Sequence, residues 1–190
     1  MSYQISIFLI DTILGLFSLA LLLRFYLQLF RVPSYNQLPK FLFAVTDFVV
    51  RPARRVIPGF KGMDLSTLLL AWLAECIIIT STYLLQGYNF GANIGGSASA
   101  IGLLGVVEIV KMSLYIILVM IIVQAVLSWI NPQNPLAPLL DSFTRPFLGV
   151  FRRRIPLIAN VDLSPLFALI VIQLLLVVVV GLQMEIYTLF

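Results

Sequence analysis

The chain has 190 residues, of which 61% are hydrophobic and only 11% are charged. A soluble domain has about a quarter of its residues charged, so this composition indicates an integral membrane protein. The net charge is +4, with no histidine and one cysteine, Cys76, which excludes histidine-based nucleophilic sites, disulfides within the chain and metal sites built from His and Cys.

Four stretches are long and apolar enough to cross a hydrocarbon core of ~30 Å, which needs about 20 helical residues. We predict membrane-spanning helices over about 5–30, 65–85, 106–130 and 163–182. The first stretch does not read as a signal peptide, because residues 1–23 contain no Lys or Arg and the apolar run is too long. Between the second and third spans, residues 86–105 are rich in glycine, which predicts a flexible linker.

The distribution of basic residues predicts the orientation of the spans. Segments 31–64 and 131–162 hold ten of the twelve Lys and Arg residues, and the termini and the central linker hold none. Because basic loops stay in the cytoplasm, we expect both segments there and both termini on the other side of the cell's inner membrane. This placement favours the bilayer and its anionic headgroups as partners, and not nucleic acid.

The two basic segments are copies of each other. Ten positions are identical, with an offset of 94 residues through an Arg-Pro and of 98 residues afterwards. The first copy has Asp47, Arg51, Pro52, Arg54, Arg55, Ile57, Pro58, Asp64, Leu65 and Ser66. The second has Asp141, Arg145, Pro146, Arg152, Arg153, Ile155, Pro156, Asp162, Leu163 and Ser164. Each copy crosses the membrane twice, so residues 1–85 and 106–190 are predicted to form two tandem repeats of the same orientation, related by a pseudo-twofold axis along the membrane normal.

Each basic loop is predicted to contain a short amphipathic helix at the membrane interface. Leu38–Val50 and Leu136–Thr144 are apolar with a few polar residues, and both are too short to span the bilayer. We expect these helices to end near Arg51 and Arg145, because the residue before a proline avoids the α region. The predicted fold class is therefore an all-α membrane protein with four transmembrane helices and one interfacial helix in each cytoplasmic loop.

The spacing that the two copies share gives each aspartate an expected role. Asp47 and Asp141 lie four residues before an arginine, the spacing of an i,i+4 ion pair on a helix. Asp64 and Asp162 directly precede the second and fourth spans, where an aspartate caps the helix N-terminus.

The arginines after each interfacial helix have two interpretations, which do not exclude each other. They are Arg54 and Arg55 in the first loop and Arg152, Arg153 and Arg154 in the second. Near an anionic leaflet each contributes roughly 1 kcal/mol, enough to fix the topology and anchor the loop. Alternatively, they form a binding surface for a partner protein or for lipid headgroups.

Polar residues inside the predicted spans are candidates for function, since a buried charge costs at least ~2.5–3.5 kcal/mol. They are Arg24, Glu75, Gln124 and Gln173. Glu75 lies near the midplane, and the repeat offset places Gln173 at the same depth, so we expect both to face the bundle interior. A protonated Glu75 bonded to Gln173 is the structural interpretation, and a proton or cation site is the functional one. Arg24 is expected to extend to the cytoplasmic interface, with Gln124 as its weaker counterpart.

The duplicated Arg-Pro, Arg-Arg-x-Ile-Pro and Asp-Leu-Ser signature resembles the YggT family, and the Leu-Ser-Trp-Ile-Asn-Pro run at 127–132 adds to the resemblance. The first copy departs from the second at Thr67, which stands where the second has Pro165. The family contains bacterial inner-membrane proteins and plastid relatives, including a cofactor-assembly factor for cytochrome b6. The resemblance implies osmotic or ion homeostasis, or assembly of membrane complexes, and it implies no catalytic residues.

Two functions are therefore predicted as alternatives. The first is non-enzymatic assembly or organisation of membrane complexes, in which the arginine-rich loops contact a membrane-protein partner or another copy of the chain. The second is a small oligomeric channel or transporter that uses Glu75 and Gln173. An enzyme is disfavoured because the usual bases and nucleophiles are absent, and we expect no cofactor or metal.

Overall fold

The chain is almost entirely helical. The computed structural model describes residues 2–32, 37–57, 59, 63–88, 90, 94–131, 134–154 and 162–188. These residues form six helices and no strand. The helices are α1 (Ser2–Leu29), α2 (Gln37–Val56), α3 (Leu65–Leu85), α4 (Ile94–Ile130), α5 (Ala137–Arg152) and α6 (Ser164–Tyr187). Helices α1, α3, α4 and α6 are long and apolar enough to cross a membrane, which confirms the predicted fold class.

The outer faces of the four long helices are apolar. Phe8, Ile13, Leu174 and Val177 are between 62% and 71% exposed. Such continuous apolar surface is unusual for a protein surrounded by water, whereas lipid tails cover it without cost. The spans are therefore uniformly hydrophobic in sequence because both their inward and their outward faces are apolar.

The two halves of the chain share one core. Helix α1 packs on α3 and α4 packs on α6, while α3 against α4 joins the halves. Helices α2 and α5 each cover one end of their own pair. Fully buried side chains from both halves, including Leu21, Ile121 and Phe143, belong to one cluster. The Phe30 ring at the end of α1 lies 5.1 Å from the Phe143 ring on α5.

The third span begins earlier than we predicted. Helix α4 starts at Ile94, so residues 94–105 of the expected flexible linker are helical. The glycines here allow close packing: the indole Nε1 of Trp72 on α3 donates to the Gly102 carbonyl over 3.0 Å. A Cβ at Gly105 would lie 2.9 Å from Cys76 Sγ. Small residues thus bring the two backbones together, as they commonly do between membrane helices.

Replacing Gly105 by alanine is expected to destabilise the protein by about 1–2 kcal/mol, because the added methyl group overpacks the α3–α4 contact. Its Cβ would also lie 3.0 Å from Trp72 Nε1. The free energy of unfolding in non-ionic detergent is the quantity to measure. Gly181→Ala is the matched control, since nothing lies within 4 Å of a Cβ there. Equal stability of the two variants would contradict the close approach.

The helices in the basic loops also extend beyond their predicted ends. Helix α2 continues to Val56 and α5 to Arg152, so Pro52 and Pro146 lie inside helices. An internal proline removes one backbone hydrogen bond. Both prolines are exposed, so the carbonyl that loses its donor can bond water on the outer side. The prediction that each helix ends before its proline was wrong for this reason.

Candidate functional site

Arg24, near the end of α1, is enclosed by α2. Its side chain is buried, with the residue only 3% exposed. The Nη1 atom donates to Thr46 Oγ1 and to Asp47 Oδ1, both over 2.7 Å. The Phe43 ring centroid lies 4.9 Å from Cζ, a distance that permits a cation–π contact. The side chain thus extends to α2, the predicted interfacial helix, where its charge is paired with Asp47 and is not exposed.

Asp47 connects this buried arginine to an exposed one. Its second oxygen, Oδ2, lies 2.7 Å from Arg51 Nη2, which confirms the predicted i,i+4 ion pair. The hydrogen bond from Arg24 is the main reason why the pKa of Asp47 lies below its usual range. The carboxylate thereby ties α1 to α2.

Asp64 organises the connection from α2 to α3. Arg54 Nη2 lies 2.5 Å from its Oδ2, and the Ser66 and Thr67 hydroxyls both donate to the same carboxylate. The Thr67 backbone N–H donates to Oδ1 over 3.4 Å, which confirms Asp64 as the N-cap of α3. Burial alone raises the pKa of Asp64, but the bonds from Arg54, Ser66 and Thr67 outweigh it and lower the pKa to about 2.

In the second repeat the neutral Gln124 takes the place of Arg24, while an arginine still pairs with the second aspartate. Gln124 Nε2 donates to Asp141 over 3.5 Å, and the Thr144 hydroxyl donates to Gln124 Oε1. Gln124 and Arg24 thus correspond, because each bonds the first aspartate of its own repeat. Arg152 lies 3.7 Å from Asp141 and 2.8 Å from Asp162.

Two details of the second repeat differ from the predictions. Asp141 pairs with Arg152, and the expected pair with Arg145 is absent from the described part of the chain. The position that caps α6 is Leu163, without a side-chain capping bond. Asp162 lies one residue earlier and accepts the Ser164 backbone N–H over 2.9 Å. Pro165 falls in the first turn of α6, where a proline is tolerated because its missing N–H would have no partner within the helix.

The four polar residues of the predicted spans are not gathered into one site. Glu75 is buried and its Oε1 has no hydrogen-bond partner among the described residues, with the Ser18 hydroxyl nearby. Gln173 lies on an exposed face of α6. The predicted contact between them is wrong, because a shared depth in two helices does not determine the direction in which each side chain points.

These residues line three different cavities. Glu75 shares one of about 420 Å³ with Asp11, Glu108 and Lys111. Gln124 and Gln173 line a second, of about 590 Å³, which Arg152 and Asp162 also reach. Arg24 lines a third, of about 550 Å³, between α1 and α2. We call this last one the arginine cavity, after the residues that line it: Arg24, Arg31, Arg51 and Arg54.

The remaining loop arginines point outward. They are Arg55, Arg145, Arg153 and Arg154, and we call them the outer arginines. All are exposed, and none has an ion pair within the residues that the structure describes. Of the other predicted motif positions, Pro58 and Pro156 lie outside the described residues.

Comparison with known proteins agrees with the resemblance. A sequence model of the CCB3/YggT family matches residues 3–85 and residues 103–183. The chain belongs to the CCB3/YggT family. The two matched segments leave out most of the glycine-rich centre. They contain all four long helices, apart from the first residue of α1, the beginning of α4 and the end of α6. No solved structure matches the chain.

Bacterial relatives match most of this CCB3/YggT chain. An uncharacterized protein of Pseudomonas aeruginosa is 33% identical over 178 residues, 93% of this chain and 88% of its own length. One of Vibrio alginolyticus is 30% identical over 167 residues, covering 87% of this chain and 88% of its own. The uncharacterized YggT protein of Escherichia coli is 28% identical over 166 residues, covering 87% and 84%.

Sequence reasoning on this CCB3/YggT protein missed Thr46 and Arg31. With the offset of 94 residues that applies here, Leu140 occupies the position of Thr46, so the duplication gave no signal for it. The threonine in the same role, Thr144, lies four residues further along. Arg31 was counted among the basic loop residues only. Its backbone φ of 51° lies in the left-handed region, which no pattern of charges reveals.

Proposed function

We propose that this CCB3/YggT protein is a non-enzymatic organiser of membrane complexes, which binds an acidic segment of a membrane-protein partner through the outer arginines. The observation that carries the proposal is that some loop arginines are paired within the chain and others are not. Arg24, Arg54 and Arg152 bind aspartates within the chain. The outer arginines are exposed and have no such partner among the described residues, so their guanidinium groups are available to another molecule.

The chemistry of the outer arginines suits a carboxylate-bearing partner. A guanidinium presents donors in a planar fork that matches a carboxylate, and it is weakly hydrated for a cation. Three of the four lie at the ends of α2 and α5, beside the candidate spans. The distribution of basic residues supports a cytoplasmic position for the ends of α2 and α5. It likewise supports a position of the two chain termini on the opposite side of the inner membrane. A partner there would meet two cationic patches on one face.

The alternative is a small channel or transporter that uses the polar residues inside the spans. Glu75 supports it, because its buried carboxyl oxygen Oε1 has no hydrogen-bond partner within the described structure and the residue lines a cavity together with Asp11. The arrangement of the other residues counts against it, since Glu75, Arg24 and Gln173 line different cavities. A path through one chain would need those cavities to connect.

Changing the outer arginines together to glutamine is expected to lower the amount of a co-purifying membrane protein at least about tenfold, since several charge-assisted hydrogen bonds are lost. The experiment purifies the protein from its native membrane in mild detergent and measures the ratio of partner to chain by mass spectrometry. These variants should fold, because the outer arginines make no ion pair in the described structure.

Two controls separate the alternatives. Lys40→Gln removes another exposed charge from α2 and should leave the ratio unchanged. Glu75→Gln should also leave it unchanged, whereas a channel would lose ion flux in liposomes with this variant. A homo-oligomer without another protein, combined with flux that depends on Glu75, would replace the organiser by the transporter.

A further inference from the structure

The arginine cavity contains more positive than negative charge. Four guanidinium groups line it, from Arg24, Arg31, Arg51 and Arg54, together with a single lining carboxylate, Asp47. Asp64 contacts Arg54 from outside the lining. When both aspartates are counted, two positive charges are not balanced by a carboxylate. The cavity has a volume of about 550 Å³, which is large enough for a small ligand.

One buried donor of Arg24, a residue that lines this cavity, has no partner among the residues that the structure describes. Arg24 uses Nη1 for Thr46 and Asp47, but its Nε is buried and bonds nothing among the described residues. An unsatisfied buried donor is rare and costs about 1–3 kcal/mol, more when the group is charged. Arg24 is thus a buried cation in the lining of the cavity, with one donor beyond those that Thr46 and Asp47 use, which favours an anionic ligand.

Arg31 occupies a backbone position that usually requires glycine. The Val32 N–H donates to Leu27 O over 2.9 Å and the Arg31 N–H to Gln28 O over 3.1 Å, the two bonds of a Schellman motif at the end of α1. In this motif Arg31 takes a backbone φ of 51°, which glycine adopts without strain and arginine does not. Local structure therefore does not explain the arginine, whereas its charge at the cavity does.

The second repeat lacks this charge. With the offset of 100 residues that relates Arg24 to Gln124, Arg31 corresponds to Asn131. The cavity lined by Gln124 contains one arginine, Arg152, which is paired with both Asp141 and Asp162. Of these two cavities, only the one in the first repeat has an excess of positive charge, whereas general attraction to a membrane surface would require none inside a cavity.

We propose that the arginine cavity binds one phosphate group. Phosphate oxygens match the guanidinium donors of Arg24, Arg31 and Arg51. A doubly ionised phosphate monoester would balance both remaining charges, and a phosphodiester would balance one of them. Leu27, Val32 and Phe43 also line the cavity, and these apolar side chains suit the acyl chains of an anionic phospholipid. A soluble phosphate compound is the other source of the same chemistry. This site does not depend on the outer arginines.

Titration calorimetry on the full chain in non-ionic detergent tests the proposal with three probes: short-chain phosphatidylglycerol, short-chain phosphatidylcholine and inorganic phosphate. We expect one site per chain. Tighter binding of phosphatidylglycerol than of the other two identifies a lipid headgroup, and equal or tighter binding of inorganic phosphate identifies a soluble source. Failure of all three probes to bind overturns the proposal.

Two variants locate the site without disturbing the buried network. Arg31→Gly removes a charge at a position that favours glycine, and Arg51→Gln removes an exposed one. Each should weaken binding of the probe about tenfold, as expected for one charge-assisted hydrogen bond. Arg145→Gln, the counterpart of Arg51 in the second repeat, should leave the affinity unchanged. An equal loss with Arg145→Gln would show attraction to surface charge and overturn the site.

Discussion

Replacing Asp64 by alanine is expected to destabilise the protein by about 3–5 kcal/mol. The substitution removes the cap of α3 and the acceptor of Arg54 at once. It also leaves the hydroxyl groups of Ser66 and Thr67, both fully buried, without their present acceptor. The free energy of unfolding is measured by titration with a denaturing detergent from a non-ionic one, followed by circular dichroism.

Asp162→Ala is the matched control from the second repeat. The side chain of Asp162 is 31% exposed and that of its partner Arg152 is 42% exposed. Water can therefore replace much of the hydrogen bonding and charge pairing that is lost with the carboxylate. We expect a loss of about 1 kcal/mol there, of the size of a single helix-terminal bond. Equal losses for the two variants would mean that the buried connection at α3 contributes no more than the exposed one at α6.

The stability difference between the wild type and Asp64→Ala is also expected to depend on pH. The folded-state pKa of Asp64 is about 2, against an ordinary value of 3.8. A carboxyl group with a lowered pKa stabilises the fold above its ordinary pKa, and this contribution disappears as the pH falls through the folded value. The difference in stability between the wild type and Asp64→Ala should therefore narrow between pH 3.8 and pH 2.

Arg24→Leu is expected to cost about 2–3 kcal/mol of unfolding free energy. Leucine fills part of the space under α2, but Thr46 and Asp47 lose a buried charged donor that lies 2.7 Å from each. The loss should fall on the attachment of α2 to α1, because Arg24 is the ion-pair partner that joins them through Asp47. Faster cleavage of α2 by a protease, measured in detergent, reports that attachment directly.

Arg51→Leu is the control for this variant, since Arg51 contacts the other oxygen of the same aspartate. Its side chain is 77% exposed, so its ion pair contributes less than about 1 kcal/mol. If Arg51→Leu were as damaging as Arg24→Leu, the position of Arg24 beneath α2 would not be the source of its effect.

Much of the fold could be predicted from the sequence because its signals are local. The second span was predicted at 65–85 and forms α3, Leu65–Leu85, since apolar length alone defines a candidate span. The predicted ion pair of Asp47 with Arg51 formed because four residues separate them on one helix. The N-cap at Asp64 follows likewise from its place before an apolar run.

The errors arose where the answer depends on a neighbouring helix. Residues 94–105 read as a linker because of their glycines, yet they are helical where α4 packs against Trp72 on α3. Gln173 was paired with Glu75 from their shared depth, but rotation about each helix axis decides what a side chain faces, and Gln173 faces outward.

The sequence by itself determined the membrane character of this protein, its duplicated basic loops and its CCB3/YggT signature, because composition, spacing and identity are properties of the chain alone. Only the tertiary structure decided which arginines are used within the fold. Arg24 and Arg54 are paired because α2 and the start of α3 bring aspartates within 2.7 Å of them, whereas Arg55 is exposed one position further along the same helix. The sequence specifies how many charged side chains there are, but which of them are buried or paired depends on the distances between helices in the folded protein.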